Sequence, residues 1–141
     1  MTTLLIADDE HLIRQGLNSL NWESIDVKVV GTASNGAECW EMVQKLTPDV
    51  LLTDIHMQGY KGTEIARMIK EKHLLTKIIF LTGYKEFEYA REAVELGIVS
   101  FVLKPSDPSE IFAAVNKAKV QIEQQNLIMS EQNSLIRQVK E

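Results

Sequence analysis

The sequence has little from which to build a secreted, membrane-bound or nucleic-acid-binding protein. Its one cysteine, Cys39, excludes an internal disulfide, and nothing around it suggests a thiol site, so a reducing cytosol is the expected compartment. Lys and Arg number 15 against 20 Asp and Glu, a net charge of −5 at pH 7. Affinity for a phosphate backbone rests on clustered cations, so an activity on DNA would have to lie in another domain. No apolar run approaches the length of a membrane span, and no basic leader precedes one: Met1-Thr2-Thr3 goes straight into Leu4-Leu5-Ile6-Ala7-Asp8-Asp9. Neither a signal peptide nor a span is expected, and the location is read as cytoplasmic. With 141 residues, 45% hydrophobic and 25% charged, the chain is long enough for one domain with a real core and too short for two.

What is present alternates. Short apolar runs without helical period, about Thr3 to Ala7, Val27 to Ala33, Val50 to Thr53, Lys77 to Thr82 and Ser100 to Leu103, read as strands buried on both faces. Between them, apolar residues recur at helical spacing. Leu12, Ile13, Gly16, Leu17 and Leu20 mark a first helix, and Ala37, Trp40, Met42, Val43 and Leu46 a second that follows the Ser34-Asn35-Gly36 turn. Thr63 reads as the cap of a third helix carrying Ile65, Ala66, Met68 and Ile69. Phe87, Ala90, Ala93, Val94 and Leu96 predict a fourth, ended by Gly97, and Asp107-Pro108 opens a fifth with Ile111, Phe112, Val115 and Ala118. Five strands alternating with five helices predict an α/β, doubly wound, five-stranded parallel sheet covered on both faces.

Past residue 120 glutamine and asparagine dominate and no strand follows. The last helix is therefore extended. Its heptad seam, Val115, Ile122, Met129 and Ile136 with Ile111, Ala118, Gln125, Gln132 and Val139, is weakened by two glutamines. Both a fraying single helix and a weak coiled coil remain open.

Three charged features each follow an apolar run: Asp8-Asp9 after the first, Asp54 at the end of the third, and Lys104-Pro105 after the fifth. In a parallel sheet all three emerge at the carboxyl edge, where open α/β sheets bind ligands. Carboxylates packed together raise one another's pKa unless a cation sits among them. A hard divalent ion with oxygen ligands answers that need, and magnesium, which accepts one or two carboxylates plus a phosphate oxygen, fits best. Thr82 and Lys104, each closing its own strand, add a hydroxyl and an ammonium. Facing a metal-bound carboxylate, they would resemble a phosphoryl clamp, in which charge on the phosphoryl oxygens is neutralised and Asp54 would be the nucleophile.

With Asp8-Asp9, Asp54, Thr82 and Lys104-Pro105 along five βα units, residues 3 to 120 resemble the receiver domain of two-component response regulators. Asn21-Trp22-Glu23, Ser34-Asn35-Gly36, Thr53-Asp54-Ile55-His56-Met57 and Gly83-Tyr84-Lys85-Glu86-Phe87-Glu88-Tyr89-Ala90 are similar to receivers that precede an arabinose-regulator-like helix-turn-helix output domain. The resemblance implies a flavodoxin-like sheet of order 2-1-3-4-5, which right-handed crossovers also favour. It implies residues 1–120 as the phosphoacceptor domain and 121–141 as a linker helix toward an output domain that lies outside this chain.

It also implies roles by position. Asp54 accepts a phosphoryl group from a sensor histidine kinase; Asp9, Asp54 and the backbone carbonyl of His56 ligate Mg2+, with Asp8 acting through water. Thr82 and Phe101 form the switch pair, Lys104 contacts the phosphoryl group, and the Lys104–Pro105 bond is expected to be cis. Such a module catalyses only its own phosphorylation and slow dephosphorylation. It is expected to dimerise on activation through the fourth helix, fifth strand and fifth helix, to touch DNA only through its output domain, and to have no membrane contact. Two positions depart from the family pattern: Gln58 stands where proline is usual, and Lys61 where aspartate is common. Neither is an expected ligand. His56 and Tyr84, flanking the site, are candidates for setting the hydrolysis rate by admitting or blocking water.

Each feature has a plainer reading. Asp8-Asp9 could be an acidic helix start, Asp54 a loop cap, Thr82 a strand-end hydroxyl, Lys104 a surface lysine and Phe101 a core aromatic. Their joint occurrence at three strand ends argues against coincidence. His11, His56 and His73 have no metal spacing and are expected in solvent, while Trp22 and Trp40 are expected to pack. A hydrolase with an aspartate nucleophile would place a second acid where His56 stands. A flavin-type binder would need a phosphate-cradling loop where Asp8-Asp9-Glu10 stand, and those acids repel phosphate.

Overall fold

A computed structural model describes residues 1–83, 95–104 and 107–140, with side chains up to residue 132 in the last helix. The five strands are β1 (Thr2–Ala7), β2 (Val27–Ala33), β3 (Val50–Asp54), β4 (Lys77–Thr82) and β5 (Ser100–Leu103). They form one sheet of order β2-β1-β3-β4-β5, and every neighbouring pair is parallel. The order places β1 and β3 at the centre, which is why both read as unbroken apolar runs.

Side chains alternate across the strands, and two cores result. Leu4, Ile6, Leu52, Ile79, Leu81 and Val102 pack on one face with Leu17, Ile111 and Val115. Leu5, Ala7, Leu51, Ile78 and Phe80 pack on the other with Cys39, Val43, Ile65 and Ile69. Helices α1 (His11–Asn18) and α4 (Pro108–Lys140) thus cover one face, and α2 (Gly36–Leu46) and α3 (Gly62–Glu71) the other.

Four α-helices are described where five were read from the sequence. The helix expected over residues 87–96 falls mostly on residues outside the described set, as do Tyr84 and the Lys104–Pro105 bond. Gly97 does take a left-handed φ of 71°. The third helix starts earlier than Thr63. Lys61 is its N-cap, and Thr63 is buried inside the first turn. The reason is a close approach: a Cβ on Gly62 would stand 2.6 Å from the Asp54 carbonyl oxygen, and the Gly62 N–H donates to Ile55 O at 2.8 Å.

Gly36 is the matching constraint. Its N–H donates to the Gln58 carbonyl at 2.8 Å, and a Cβ there would fall 1.9 Å from Tyr60 O. The loop after Asp54 is therefore stitched at both ends through glycine backbone, and Gln58 takes part through its main chain. Asn35 caps α2, its side-chain oxygen accepting the Glu38 N–H at 2.8 Å.

A 3₁₀ turn at Trp22–Ile25 joins α1 to β2. The Trp22 indole donates to Leu17 O at 2.9 Å, and its ring meets Phe112 of α4 edge to face at 5.1 Å. Lys119 donates from the same helix to Ile25 O. Trp40 is half-buried under the Lys72 ammonium, 5.6 Å from the ring centre, and His11, His56 and His73 are all exposed. Helix α4 leaves the core after Ile122. Residues 126–132 are all exposed, Leu127, Ile128 and Met129 among them.

Candidate functional site

Strand register sets the site. Ala7 pairs with Thr53, Asp54 with Leu81, and Thr82 with Leu103. Asp8, Asp54, Thr82 and Lys104 therefore leave β1, β3, β4 and β5 at one height along the carboxyl edge. The Asp8 N–H donates to Ala33 O at 3.1 Å and the Lys104 N–H to Thr82 O at 2.8 Å, which extends the ladder to both residues.

The Lys104 ammonium joins the acids. Nζ lies 2.9 Å from Asp8 Oδ2 and 3.3 Å from Asp54 Oδ2. Asp8 is fully buried, Asp54 is 6% exposed, and Asp9 is exposed. Burial pushes the Asp54 carboxyl up to about 6, the charges of Asp8 and Asp9 push the same way, and Lys104 opposes them. Burial pulls the Lys104 ammonium down, but the hydrogen bond it donates to Asp8 and the charges of Asp54 and Asp8 more than offset it, so its pKa ends above the ordinary lysine value. Burial outweighs the attraction of Lys104, which Asp54 shares with Asp8, and that is why Asp54 remains harder to ionise than a free carboxylate despite its ion pair.

Thr82 is buried, its hydroxyl donating to Gly83 O at 3.2 Å. Phe101 is half-buried against the core face of α2 and α3, its ring 6.2 Å from that of Phe80. His56 exposes its side chain, while Ile55 and Met57 on either side are buried and anchor its backbone. The Thr53 hydroxyl donates to Asp54 O at 2.9 Å. The structure thus brings Asp8, Asp54 and Lys104 into direct contact and sets Thr82 at the adjoining strand end.

Two residues at this edge were not singled out from the sequence. Oxygens of Asp8, Asp9 and Glu10 lie within 4.8 Å of one another. Arg14 Nη1 donates to Asp8 O at 2.8 Å, across one turn of α1. The only signals for them were a third acid directly after the pair and a cation at helical spacing, both common on ordinary helix starts.

The donor set suits a hard cation. Every candidate ligand is oxygen, and the buried Asp8 Oδ2 meets the Lys104 ammonium at 2.9 Å. Two carboxylates, Asp8 and Asp54, contact the Lys104 ammonium, and oxygens of Asp9 and Glu10 lie near Asp8.

Comparison with known proteins agrees with this geometry. The chain is 31% identical over 128 residues to the transcriptional regulatory protein YesN of Bacillus subtilis, covering 90% of this chain and 35% of that one. It is 34% identical over 118 residues to the transcriptional regulatory protein LiaR of the same species, covering 84% and 56%. The chain thus spans between about a third and just over half of these relatives. The receiver domain of AraT, a response regulator from Geobacillus stearothermophilus, superposes with a TM-score of 0.82 at 36% identity, covering 89% of this chain and 98% of that one. A two-component transcriptional regulator AraC from Clostridium phytofermentans gives 0.81 at 32%, covering 89% and 98%. The response regulator receiver domain family matches residues 4–116, and the chain belongs to that family of signalling domains.

Proposed function

We propose that this receiver accepts a phosphoryl group on Asp54 from a sensor histidine kinase, with Mg2+, and passes the change to a transcriptional output domain. The observation that carries the reading is the Lys104 ammonium between Asp8 and Asp54 at a sheet edge that also presents Thr82. A fixed cation beside a nucleophilic carboxylate suits a reaction whose charge gathers on phosphoryl oxygens.

A carboxylate oxygen of Asp54 attacks phosphorus in line. The bond from phosphorus to the donor atom breaks, and its electron pair leaves with the donor: the imidazole nitrogen of a phosphohistidine, which then takes a proton, or the acyl oxygen of acetyl phosphate. Asp9, Asp54 and the His56 carbonyl would hold Mg2+, with Asp8 acting through water. The ion, when bound, offsets charge on both carboxylate and phosphoryl oxygens. Lys104 compensates the roughly one to two added negative charges. The Thr82 hydroxyl moves to the phosphoryl oxygens, and Phe101 turns inward behind it.

Residues 1–120 form the phosphoacceptor unit and 121–141 the linker, with activation favouring a homodimer. The resemblance to the AraT and AraC regulators supports an arabinose-regulator-like helix-turn-helix output, through which alone DNA would be contacted. No helix among the described residues is long and apolar enough to cross a membrane, which accords with a cytoplasmic module. His56 and Tyr84 would tune hydrolysis; alanine at either should change the dephosphorylation rate, and unchanged rates in both would remove that role.

The test is incubation with acetyl phosphate and Mg2+, followed by intact mass measurement of the wild type and Asp54→Ala. A phosphate-sized gain in the wild type alone supports the assignment. A gain in both places the acceptor elsewhere.

A further inference from the structure

We propose that the cleft between α1 and α4 binds a small cationic amphiphile, an alkylammonium or arylalkylammonium whose apolar body lies between the helices and whose head pairs with Glu10.

The cleft encloses about 520 Å3, within the roughly 300–1,000 Å3 common for small-molecule sites. Ile13, Leu17 and Leu20 line it from the α1 side, and Leu81, Pro108 and Ile111 from β4 and α4. Leu17, Leu81 and Ile111 are buried members of the core on that face, so the fold itself fixes the floor of the cleft.

Gly16 lines the same cleft, and nothing within the chain accounts for a glycine there. It stands inside α1, where glycine costs helix stability relative to alanine. It does not take a left-handed φ, and a Cβ built on it meets no heavy atom within 4 Å. The two usual reasons for glycine, a special backbone angle and a close approach, are therefore both missing from the fold. A side chain at this position would stand in the cleft, so the glycine keeps open a space that a molecule from outside can fill.

Charge selects the head group. Glu10 and Lys104 are the two charged residues that line the cleft. The Lys104 ammonium is already held by Asp8 at 2.9 Å and Asp54 at 3.3 Å. Glu10 is exposed, and its carboxylate makes no ion pair among the described residues. Arg14, one helical turn on, donates to the Asp8 carbonyl instead. The unspent charge at the cleft is thus negative, and Asp9 beside it has the same sign. An anionic head is repelled, an uncharged one leaves Glu10 unpaired, and an ammonium is attracted.

The test is a methyl NMR titration of the protein, without Mg2+ or phosphodonor, using octylammonium, octanol and octanoate as probes. The proposal expects saturable shifts at Ile13, Leu17, Leu20, Leu81 and Ile111, with octylammonium binding about threefold tighter than octanol and octanoate weakest. Gly16→Leu fills the cleft from α1 and should abolish those shifts while melting no lower than the wild type, because leucine is the better helix former. Glu10→Gln should keep the shifts and bring octylammonium down to the affinity of octanol. As an exposed substitution it keeps the test decisive even where Gly16→Leu does not fold. Absence of saturable shifts at these methyls, equal affinity for the three probes, or unaltered binding in folded Gly16→Leu overturns the proposal. So does an undiminished preference for the ammonium in Glu10→Gln. Shifts of the same methyls on dilution, with no probe present, give the cleft to a second copy of the chain and overturn it too. No readout here depends on phosphorylation of Asp54, so the result is independent of the function proposed above.

Discussion

Lys104 Nζ stands 2.9 Å from Asp8 Oδ2, its shortest contact with an acid, while Asp8 itself is fully buried. The ammonium is therefore held partly away from the proposed phosphoacceptor by a neighbour that is never free of it. Replacing Asp8 by Asn removes one charge that raises the Asp54 pKa and releases Lys104 toward Asp54, which lowers it. Both effects have one sign. A carbon-13 NMR titration of the Asp54 carboxyl should find it below the value of about 6 set in the wild type, and an unchanged or higher value would contradict the shared-cation account.

The elevated Asp54 pKa also predicts how stability depends on pH without divalent ions. An unfolded aspartate titrates near about 3.9, and the folded one at about 6. Between these values the native state binds the extra proton, so its advantage is full below about 4 and is lost as pH rises through about 6. Two units correspond to roughly 3 kcal/mol as an upper figure. Denaturant melts of metal-free wild type should show this decline, and Asp54→Asn should flatten it and be the more stable protein at pH 7.5.

Thr82 and Phe101 should separate phosphorylation from its consequence. Neither side chain carries a charge or a nucleophile, so Thr82→Ala and Phe101→Leu should take up phosphate from acetyl phosphate within about threefold of the wild-type rate, a barrier change below about 1 kcal/mol. The phosphorylation-dependent spectral change, read by amide NMR, should shrink in both. Equal loss of labelling and response in Phe101→Leu would reduce that residue to packing, a role its contact with the Phe80 ring already supports.

Ending the chain after residue 125 should leave the receiver folded. Ile122 is the last residue of α4 packed on the core, and 126–132 are exposed. The melting temperature should change by less than about 3 °C, while any self-association carried by Leu127, Ile128 and Met129 should disappear in sedimentation equilibrium. By contrast, Trp22→Ala should cost about 3–5 kcal/mol, because it opens the core between α1 and α4 and removes the indole hydrogen bond to the Leu17 carbonyl.

Much of this protein is written along the chain. Leu4 to Ala7, Val50 to Thr53 and Lys77 to Thr82 declare themselves as doubly buried strands because apolar residues occupy successive positions, which only a sheet covered on both faces can use. Asp54, Thr82 and the residues after β1 and β5 follow from those strands, since a strand end fixes which residue emerges at the edge. The start of α3 was not legible: Thr63 looks like a cap, and only the approach of Gly62 to the Asp54 backbone moves the helix start upstream.

Side-chain pairing across elements belonged to tertiary structure alone. Lys104 lies 96 residues from Asp8 in the chain, and no local pattern says that its ammonium favours Asp8 over Asp54. The same holds for Arg14, which helical spacing pairs with Glu10 and the folded turn draws to the Asp8 carbonyl. Local sequence sets which faces are apolar and which residues stand at strand ends, because those depend on period and propensity. Which acid keeps its proton and which cation it shares depend on burial and distances that exist only once β1, β3 and β5 lie side by side.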